Sequence, residues 1–169
     1  MVSGQVTAQV AVPYTAFILT SWNRLYGLYF TPEEVFKPPY AYEVDRYSLG
    51  DVPGAEMIST CPASPDELLT NGGRALIAPP RSAMSGALDE ADSVCKNWKP
   101  SVQVRLFFAA DDDQAVSSNT AACTDSFRAQ GFTPEVVDLG APDRYESRHL
   151  GTQVAGTDAA ADWFLTLAD

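Results

Sequence analysis

The stretch VQVRLFFAADDD (residues 102–113) passes from an apolar segment directly into three aspartates. Val102 to Ala109 is rich in β-branched and aromatic residues and almost continuously apolar, which predicts a strand that is covered on both faces. PEVVDL, at 134–139, predicts a second short strand, and Ser118 to Gln130 predicts the helix between them, with Gly131 just beyond its end. Two strands joined through a helix pair in parallel with a right-handed crossover. The predicted fold class is therefore α/β.

Helical patterns are predicted on both sides of these strands. Upstream, Tyr14 to Phe30 carries apolar side chains three and four positions apart, which predicts one long amphipathic helix. Two further helix starts follow, at Thr31 and at Ser64, whereas residues 41–63 are expected to be irregular. Downstream, Thr152 to Leu167 predicts a closing helix with a core-facing stripe. The residues of this stripe are Ala160, Trp163, Phe164 and Leu167.

The character of the chain changes near residue 100. Before it, helical segments are broken by proline and glycine, and after it strand and helix patterns alternate. A chain of 169 residues is most simply one domain. We therefore expect one compact unit in two parts: a helical, cap-like region over residues 1–100 and a β-α-β-α segment over residues 101–169.

The charge of the chain excludes some classes of partner. It carries 22 acidic and 11 basic residues, a formal charge of −11 at pH 7. Nucleic acids and anionic membranes bind basic patches, so we expect neither as a partner. The apolar N-terminus lacks the basic start of a signal peptide. It contains Gln5, Gln9 and Pro13, so no membrane span is expected. Two locations are compatible with the sequence: cytoplasmic if Met1 is the natural start, and exported if the chain is a fragment of a longer secreted precursor.

The three cysteines are Cys61, Cys95 and Cys123, a number too small for a disulfide framework. Cys61 and Cys95 are candidates to pair if the chain is exported. There is no Cys-x-x-Cys motif and only one histidine, which argues against a zinc site. We expect neither a metal nor a cofactor.

Asp111 to Asp113 and His149 are predicted to meet at one edge of the sheet. The aspartates follow the first strand, and His149, the only histidine, follows the second. Loops at the carboxyl ends of neighbouring parallel strands lie together and form ligand sites. A carboxylate that accepts a hydrogen bond from one imidazole nitrogen fixes the tautomer and leaves the other nitrogen as a base. The alternatives are a solvated acidic turn, a surface histidine, and a divalent cation, which is disfavoured because adjacent side chains diverge.

A longer segment, NWKPSVQVRLFFAADDDQAVSSNTAACTDSFRAQGFTPEVVDLG (residues 97–140), resembles the C-terminal third of α/β-hydrolases of the bacterial esterase and lipase type. In that group a W-x-P lead-in precedes a strand, and a G-x-x-D-x-x-V-P loop carrying the catalytic acid follows it. Asp113 stands three residues before Val116, so the resemblance implies that Asp113 is the catalytic acid. It likewise implies that His149 is the catalytic base, ahead of a helix that ends in Trp163-Phe164.

Two upstream segments, Pro13 to Ala41 and Ser64 to Thr70, resemble the helical insertion that these enzymes carry after their nucleophile helix. The resemblance implies a partial, truncated α/β-hydrolase fold whose insertion binds a small apolar or ester substrate. The residues that would line this acyl pocket are Trp22, Tyr26, Tyr29 and Phe36. Packing in a hydrophobic core is the alternative interpretation of each of these aromatic side chains.

The chain departs from the family pattern in the feature that decides the chemistry, because no Gly-x-Ser-x-Gly nucleophile motif occurs in it. Ala110 and Ser117 also replace the glycine and the proline of the acid loop. One function is then the C-terminal part of a serine hydrolase, supplying Asp113 and His149 to a serine that is not on this chain. The alternatives are a stand-alone protein that uses the pair for proton transfer in an isomerisation, elimination or cyclisation, and a non-catalytic binding module. A two-stranded sheet has exposed edges, so we expect a homodimer or a complementary chain to cover them.

Overall fold

In a computed structural model, which describes residues 8–50, 52–77, 83–144 and 146–167, the chain divides into two units, Met1–Ala91 and Asp92–Asp169. Each unit has buried side chains of its own. Most described residues are helical, and the second unit holds a two-stranded parallel sheet. At this level the α/β prediction is confirmed. No helix among the described residues is long and apolar enough to cross a membrane.

The described part of the first unit is built from helices. In chain order they are α1 (Ala8–Tyr26), α2 (Pro32–Val35), α3 (Val44–Tyr47), α4 (Gly54–Thr60), α5 (Pro65–Leu68), α6 (Asn71–Ile77) and α7 (Ala83–Ala91), with a 3-10 turn at Tyr40–Tyr42. The expectation that residues 41–63 are irregular was wrong, because helices of four to seven residues leave no periodic pattern to recognise. Helix α1 stops before its predicted end at Phe30 because Gly27 adopts a positive φ of 62° and donates its N–H to the Asn23 carbonyl at 2.9 Å.

The core of the first unit forms where α1 packs its apolar face on the short helices. Its fully buried side chains include Val12, Leu19, Val35, Phe36, Leu68 and Leu69. A single antiparallel bridge between Phe36 and Leu69 connects the ends of α2 and α5 through their backbones. The predicted helix start at Ser64 is confirmed, since its side chain accepts a hydrogen bond from the Glu67 N–H at 3.3 Å. Thr31 also precedes a helix, although its side chain makes no capping bond there.

The second unit follows the predicted alternation of strand and helix. Its elements are β1 (Arg105–Phe108), α8 (Ser117–Ala129), β2 (Glu135–Asp138) and α9 (Arg148–Thr166), preceded by a 3-10 turn at Asp92–Cys95. The strands pair in parallel, with Arg105 opposite Glu135 and Phe108 opposite Asp138. The expectation of a strand buried on both faces was wrong, because the side chains of β1 are only half-buried and Val136 of β2 is exposed.

Helix α9 begins earlier than predicted and buries fewer residues. Ser147 acts as its N-cap by accepting a hydrogen bond from the Leu150 N–H at 3.3 Å, so the first turn includes His149. Trp163 is 9% exposed and lies under the Arg105 guanidinium, whose carbon is 4.6 Å from the ring centroid. Phe164 is 63% exposed. The prediction that Phe164 and Leu167 face the core was wrong. Phe164 is turned away because it directly follows the buried Trp163, and consecutive helical residues point in different directions. Leu167 is exposed and follows the end of α9.

A disulfide joins Cys95 to Cys123 and so fastens the Asp92–Cys95 turn to α8. The hydroxyl of Ser126 donates to the Cys95 carbonyl at 2.6 Å, which adds a second connection between the same elements. Cys61 and Cys95, the candidates to pair in an exported chain, are therefore not joined, and Cys61 is a free, half-buried thiol in the first unit. These connections explain why the Asp92–Cys95 turn belongs to the second unit.

Candidate functional site

The loop between β1 and α8 folds around the side chain of Asp112. One carboxylate oxygen of Asp112 accepts hydrogen bonds from the backbone N–H of Gln114 at 2.9 Å and of Ala115 at 2.8 Å. Turns of this kind are typical of aspartate, because its short side chain reaches the backbone two and three residues further on. The bonds fix the direction of the Asp112 carboxylate before α8 begins at Ser117.

The same carboxylate holds the only imidazole of the chain. Nδ1 of His149 lies 3.1 Å from each of the two oxygens of Asp112. The Asp112 side chain is 4% exposed and that of His149 is 24% exposed, so the contact is sheltered and the ring keeps one open side. His149 sits in the first turn of α9, whereas the sequence placed it in the loop before that helix.

The three aspartates have three different partners in the first turn of α9. Asp111 forms an exposed ion pair with Arg148 at 2.9 Å. Asp112 contacts Nδ1 of the His149 imidazole, and Asp113 accepts a hydrogen bond from the backbone N–H of His149 at 2.9 Å. The prediction that the Asp113 carboxylate orients the imidazole was therefore wrong, because the turn at Asp112 directs that neighbouring side chain inward instead.

The electrostatics of Asp112 favour a carboxylate. Burial alone would raise the pKa of this carboxyl, but the Gln114 and Ala115 N–H groups and His149 outweigh it and lower the pKa below its usual value of 3.8. An ionised Asp112 is an acceptor only, so Nδ1 of His149 must be the donor. Nε2 is then the basic nitrogen of the neutral ring.

Nε2 has a neighbour that the sequence analysis missed. The side-chain nitrogen of Gln153, one helical turn further along α9, lies 3.3 Å from Nε2 of His149. The i and i+4 spacing was the signal that could have found it. The predicted start of α9 at Thr152 put only one of the two residues on the helix.

An open groove of about 800 Å³ surrounds this imidazole. We call it the His149 groove, and it lies among the end of β1, the first turns of α8 and one face of α9. Its lining is mainly apolar. It includes Phe107, Val116, Thr120, Gly156, Ala160 and Phe164, together with Asp112, His149 and Gln153.

The chain is similar to the rice cell wall degrading esterase LipA from Xanthomonas oryzae, with a TM-score of 0.67 and 18% identity over 82% of this chain. A ligand-bound form of that esterase matches with a TM-score of 0.68 and 19% identity over 83% of this chain. The chain has a partial esterase-like fold.

The likeness covers only part of the esterase. This chain spans 37% of the length of those esterase structures, and 39% of a mutant of the same enzyme that matches with a TM-score of 0.69 and 18% identity over 86% of this chain. No family model and no curated protein sequence matches the chain. At such low sequence identities the likeness shows the fold alone, and any chemistry has to be argued from the side chains of this chain.

The four aromatic residues predicted to line an acyl pocket lie in the first unit and pack there. Phe36 is completely buried in the core and meets Tyr29 edge to face, with ring centroids 6.0 Å apart. Trp22 meets Tyr26 in the same way at 6.2 Å, and the Tyr26 hydroxyl donates to Glu90 at 2.9 Å. Phe36 is therefore a core residue and is inaccessible to a ligand, whereas a binding role for Trp22, Tyr26 and Tyr29 stays a prediction.

Metal binding has no support from the described side chains. Within residues 8–50, 52–77, 83–144 and 146–167, no three histidine, cysteine, aspartate or glutamate side chains converge as ligands. Each carboxylate of Asp111 to Asp113 already has a protein partner.

Proposed function

We propose that this chain is the C-terminal part of an esterase-like serine hydrolase and supplies the base and the orienting acid of a Ser-His-Asp triad. His149 is the base and Asp112 is the orienting acid, in place of the Asp113 that the family spacing suggested. The observation that carries the proposal is the contact of Nδ1 with both Asp112 oxygens at 3.1 Å, on an esterase-like fold.

The contact suits general base catalysis on a hydroxyl nucleophile. The Asp112 carboxylate holds the ring in the tautomer whose Nε2 accepts a proton. When Nε2 takes the proton of a serine hydroxyl, the imidazolium that forms is stabilised by the sheltered negative charge of Asp112. Nε2 then returns the proton to the leaving alcohol of the ester, which restores the neutral ring.

In this proposal the nucleophile comes from a polypeptide segment outside this sequence, because no Gly-x-Ser-x-Gly motif occurs in the 169 residues. The sheet offers a place for such a segment. The carbonyls of Val104 and Phe108 accept hydrogen bonds from the N–H groups of Glu135 in β2 and of Leu139 just after it. The N–H and C=O groups of Arg105 and Phe107 therefore point to the other edge of β1. A further strand added at this edge would extend the sheet beside the His149 groove.

A labelling experiment tests the proposal. The chain alone is treated with a fluorophosphonate and with p-nitrophenyl butyrate, and then again in the presence of the part of the Xanthomonas oryzae esterase that lies outside the match. We expect no adduct and no hydrolysis from the chain alone, and both from the mixture. The His149→Ala variant should abolish the gain, and intact mass identifies the labelled chain.

Two results contradict the proposal. A stoichiometric adduct on the chain alone would place the nucleophile on this chain. A mixture that gains labelling over the esterase fragment alone, and keeps that gain in His149→Ala, would remove the role of His149.

A second function, proton transfer on an apolar small molecule without a covalent step, is favoured by the His149 groove. Its volume of about 800 Å³ lies in the range of small-molecule sites, and its lining is mainly apolar. If the chain alone turns over such a substrate, His149→Ala and Asp112→Asn should each abolish turnover and leave binding intact. Turnover that persists in both variants excludes this second function.

A further inference from the structure

The contact between Gln153 and His149 gives the second ring nitrogen of the imidazole a partner. Asp112 binds Nδ1, and the Gln153 amide nitrogen lies 3.3 Å from Nε2. Residues four apart on a helix face each other, so α9 itself presents Gln153 to the ring. The basic nitrogen of His149 thus has a protein partner in the isolated chain.

The direction of this hydrogen bond follows from the tautomer. Nδ1 carries its hydrogen toward the Asp112 carboxylate, so Nε2 of the neutral ring holds a lone pair and the Gln153 NH₂ group donates to it. When the ring is protonated, Nε2–H becomes a donor and the amide must rotate to present its oxygen. A glutamine serves both states of the base because its two ends are a donor and an acceptor of similar shape.

The charged groups near the ring bind atoms other than Nε2. Asp112 contacts Nδ1, and Asp113 contacts the backbone N–H of His149. Arg148, next to His149, is paired with Asp111. The three aspartates therefore act at Nδ1, at the backbone of His149 and at Arg148, and Gln153 acts at Nε2.

We propose that Gln153 is a positioning residue for His149, which holds the Nε2 side of the imidazole until a nucleophile replaces it. The amide occupies the place from which a serine hydroxyl would donate its proton. The replacement of Gln153 by a serine rests on the proposed function, because it requires the serine of a completed triad. The holding of the imidazole by Gln153 concerns this chain alone and is tested there.

The test uses the fact that the chain has one histidine. Diethyl pyrocarbonate acylates the unprotonated imidazole nitrogen, and peptide mass spectrometry follows the fragment that contains His149. In Gln153→Ala, Nε2 loses its competing donor, so we expect acylation about threefold faster than in the wild type, as for the loss of one neutral hydrogen bond. In ¹⁵N spectra, the Nε2 resonance should move toward that of an imidazole nitrogen without a donor.

The matched control is Gln103→Ala, the same change at an exposed position before β1. It should leave both the rate and the Nε2 resonance at their wild-type values. An acylation rate in Gln153→Ala equal to that of the wild type, or an unchanged Nε2 resonance, would overturn the proposal. Neither readout involves ester hydrolysis, so failure of the triad proposal and failure of this one are distinguished.

Discussion

Asp112 and His149, 37 residues apart in the chain, form a two-oxygen contact with Nδ1 at 3.1 Å from each oxygen. The pair connects the loop after β1 to the first turn of α9. Asp111 and Asp113 support the same turn through Arg148 and through the His149 backbone. The three consecutive aspartates therefore act together to hold one imidazole in place, and variants of Asp112 and of Asp113 have different expected effects.

The first prediction concerns the tautomer of His149. In the wild type with an uncharged imidazole, we expect the ring hydrogen on Nδ1, because the Asp112 carboxylate can only accept a hydrogen bond. Asp112→Asn removes this constraint, since an amide can donate as well as accept, and the population should shift toward the Nε2–H form. The ¹⁵N resonances of the single histidine report both forms directly.

The matched variant for this experiment is Asp113→Asn. Its carboxylate contacts only the His149 backbone N–H, and an asparagine oxygen can still accept that bond. We expect the wild-type tautomer in this variant. If Asp113→Asn shifted the tautomer and Asp112→Asn did not, the family spacing would be right about the acid and the observed geometry would not describe the site.

The second prediction is a pH dependence of stability. The pKa of Asp112 lies below its usual value of 3.8: burial alone would raise it, but hydrogen bonds from the loop backbone and from His149 outweigh that effect. A carboxyl whose folded pKa lies below its unfolded value stabilises the fold fully above the unfolded value, and this contribution is lost as the pH falls through the folded pKa. We therefore expect the wild type to be more stable than Asp112→Asn at about pH 6.

The difference between the two proteins should shrink as the pH falls below 3.8. Urea unfolding followed by circular dichroism, repeated across this range, measures the free energy of unfolding of both. A difference that stayed constant at every pH would show that the charge of Asp112 contributes nothing to the free energy of unfolding and that only its capacity to form hydrogen bonds matters.

The third prediction concerns the disulfide between Cys95 and Cys123, which are separated by 28 positions. Closing a loop of that length lowers the entropy of the unfolded chain, and its loss should cost about 3.5 kcal/mol of unfolding free energy. We expect the Cys95→Ser and Cys123→Ser double variant to unfold at lower urea than the wild type. Reductant should destabilise the wild type and leave the double variant unchanged.

Cys61→Ser is the matched control, because Cys61 is a free thiol in the first unit. Its response to reductant should equal that of the wild type. A protein whose response to reductant depended on Cys61 would restore the pairing that the sequence suggested and contradict the one observed.

The sequence predicts the parallel strands and the meeting of the aspartate loop with His149, because both follow from the alternation of strand and helix. The choice among Asp111, Asp112 and Asp113 could not be predicted, since it depends on backbone N–H groups that only the folded turn brings to Asp112. Family spacing selected the neighbouring residue. Gln153 was missed for a local reason, because the Ser147 cap that starts α9 was not recognised.

The last prediction concerns Gly151, two residues after His149. A Cβ atom at this position would lie 2.6 Å from the carbonyl carbon of Pro142 and 2.9 Å from the Asp143 nitrogen. Those atoms belong to the backbone that leads into α9, so the segment must shift if a side chain is added. We expect Gly151→Ala to cost about 1–3 kcal/mol of unfolding free energy, as overpacking does, and to weaken the hold of Asp112 on His149. Urea unfolding measures the first effect and the ¹⁵N tautomer signal measures the second.

Gly156→Ala is the matched control on the same helix. Its Cβ would lie 3.5 Å from the Leu139 side chain and 3.8 Å from that of Phe107, which are ordinary contacts. Alanine is favoured over glycine inside a helix by about 1 kcal/mol, so this variant should gain stability and keep the wild-type tautomer. Equal losses in both variants would mean that helix α9 tolerates neither change and that the close approach at Pro142 has no special role. A loss confined to Gly151→Ala, with a disturbed His149 signal, would show that a side chain at residue 151 misplaces the base.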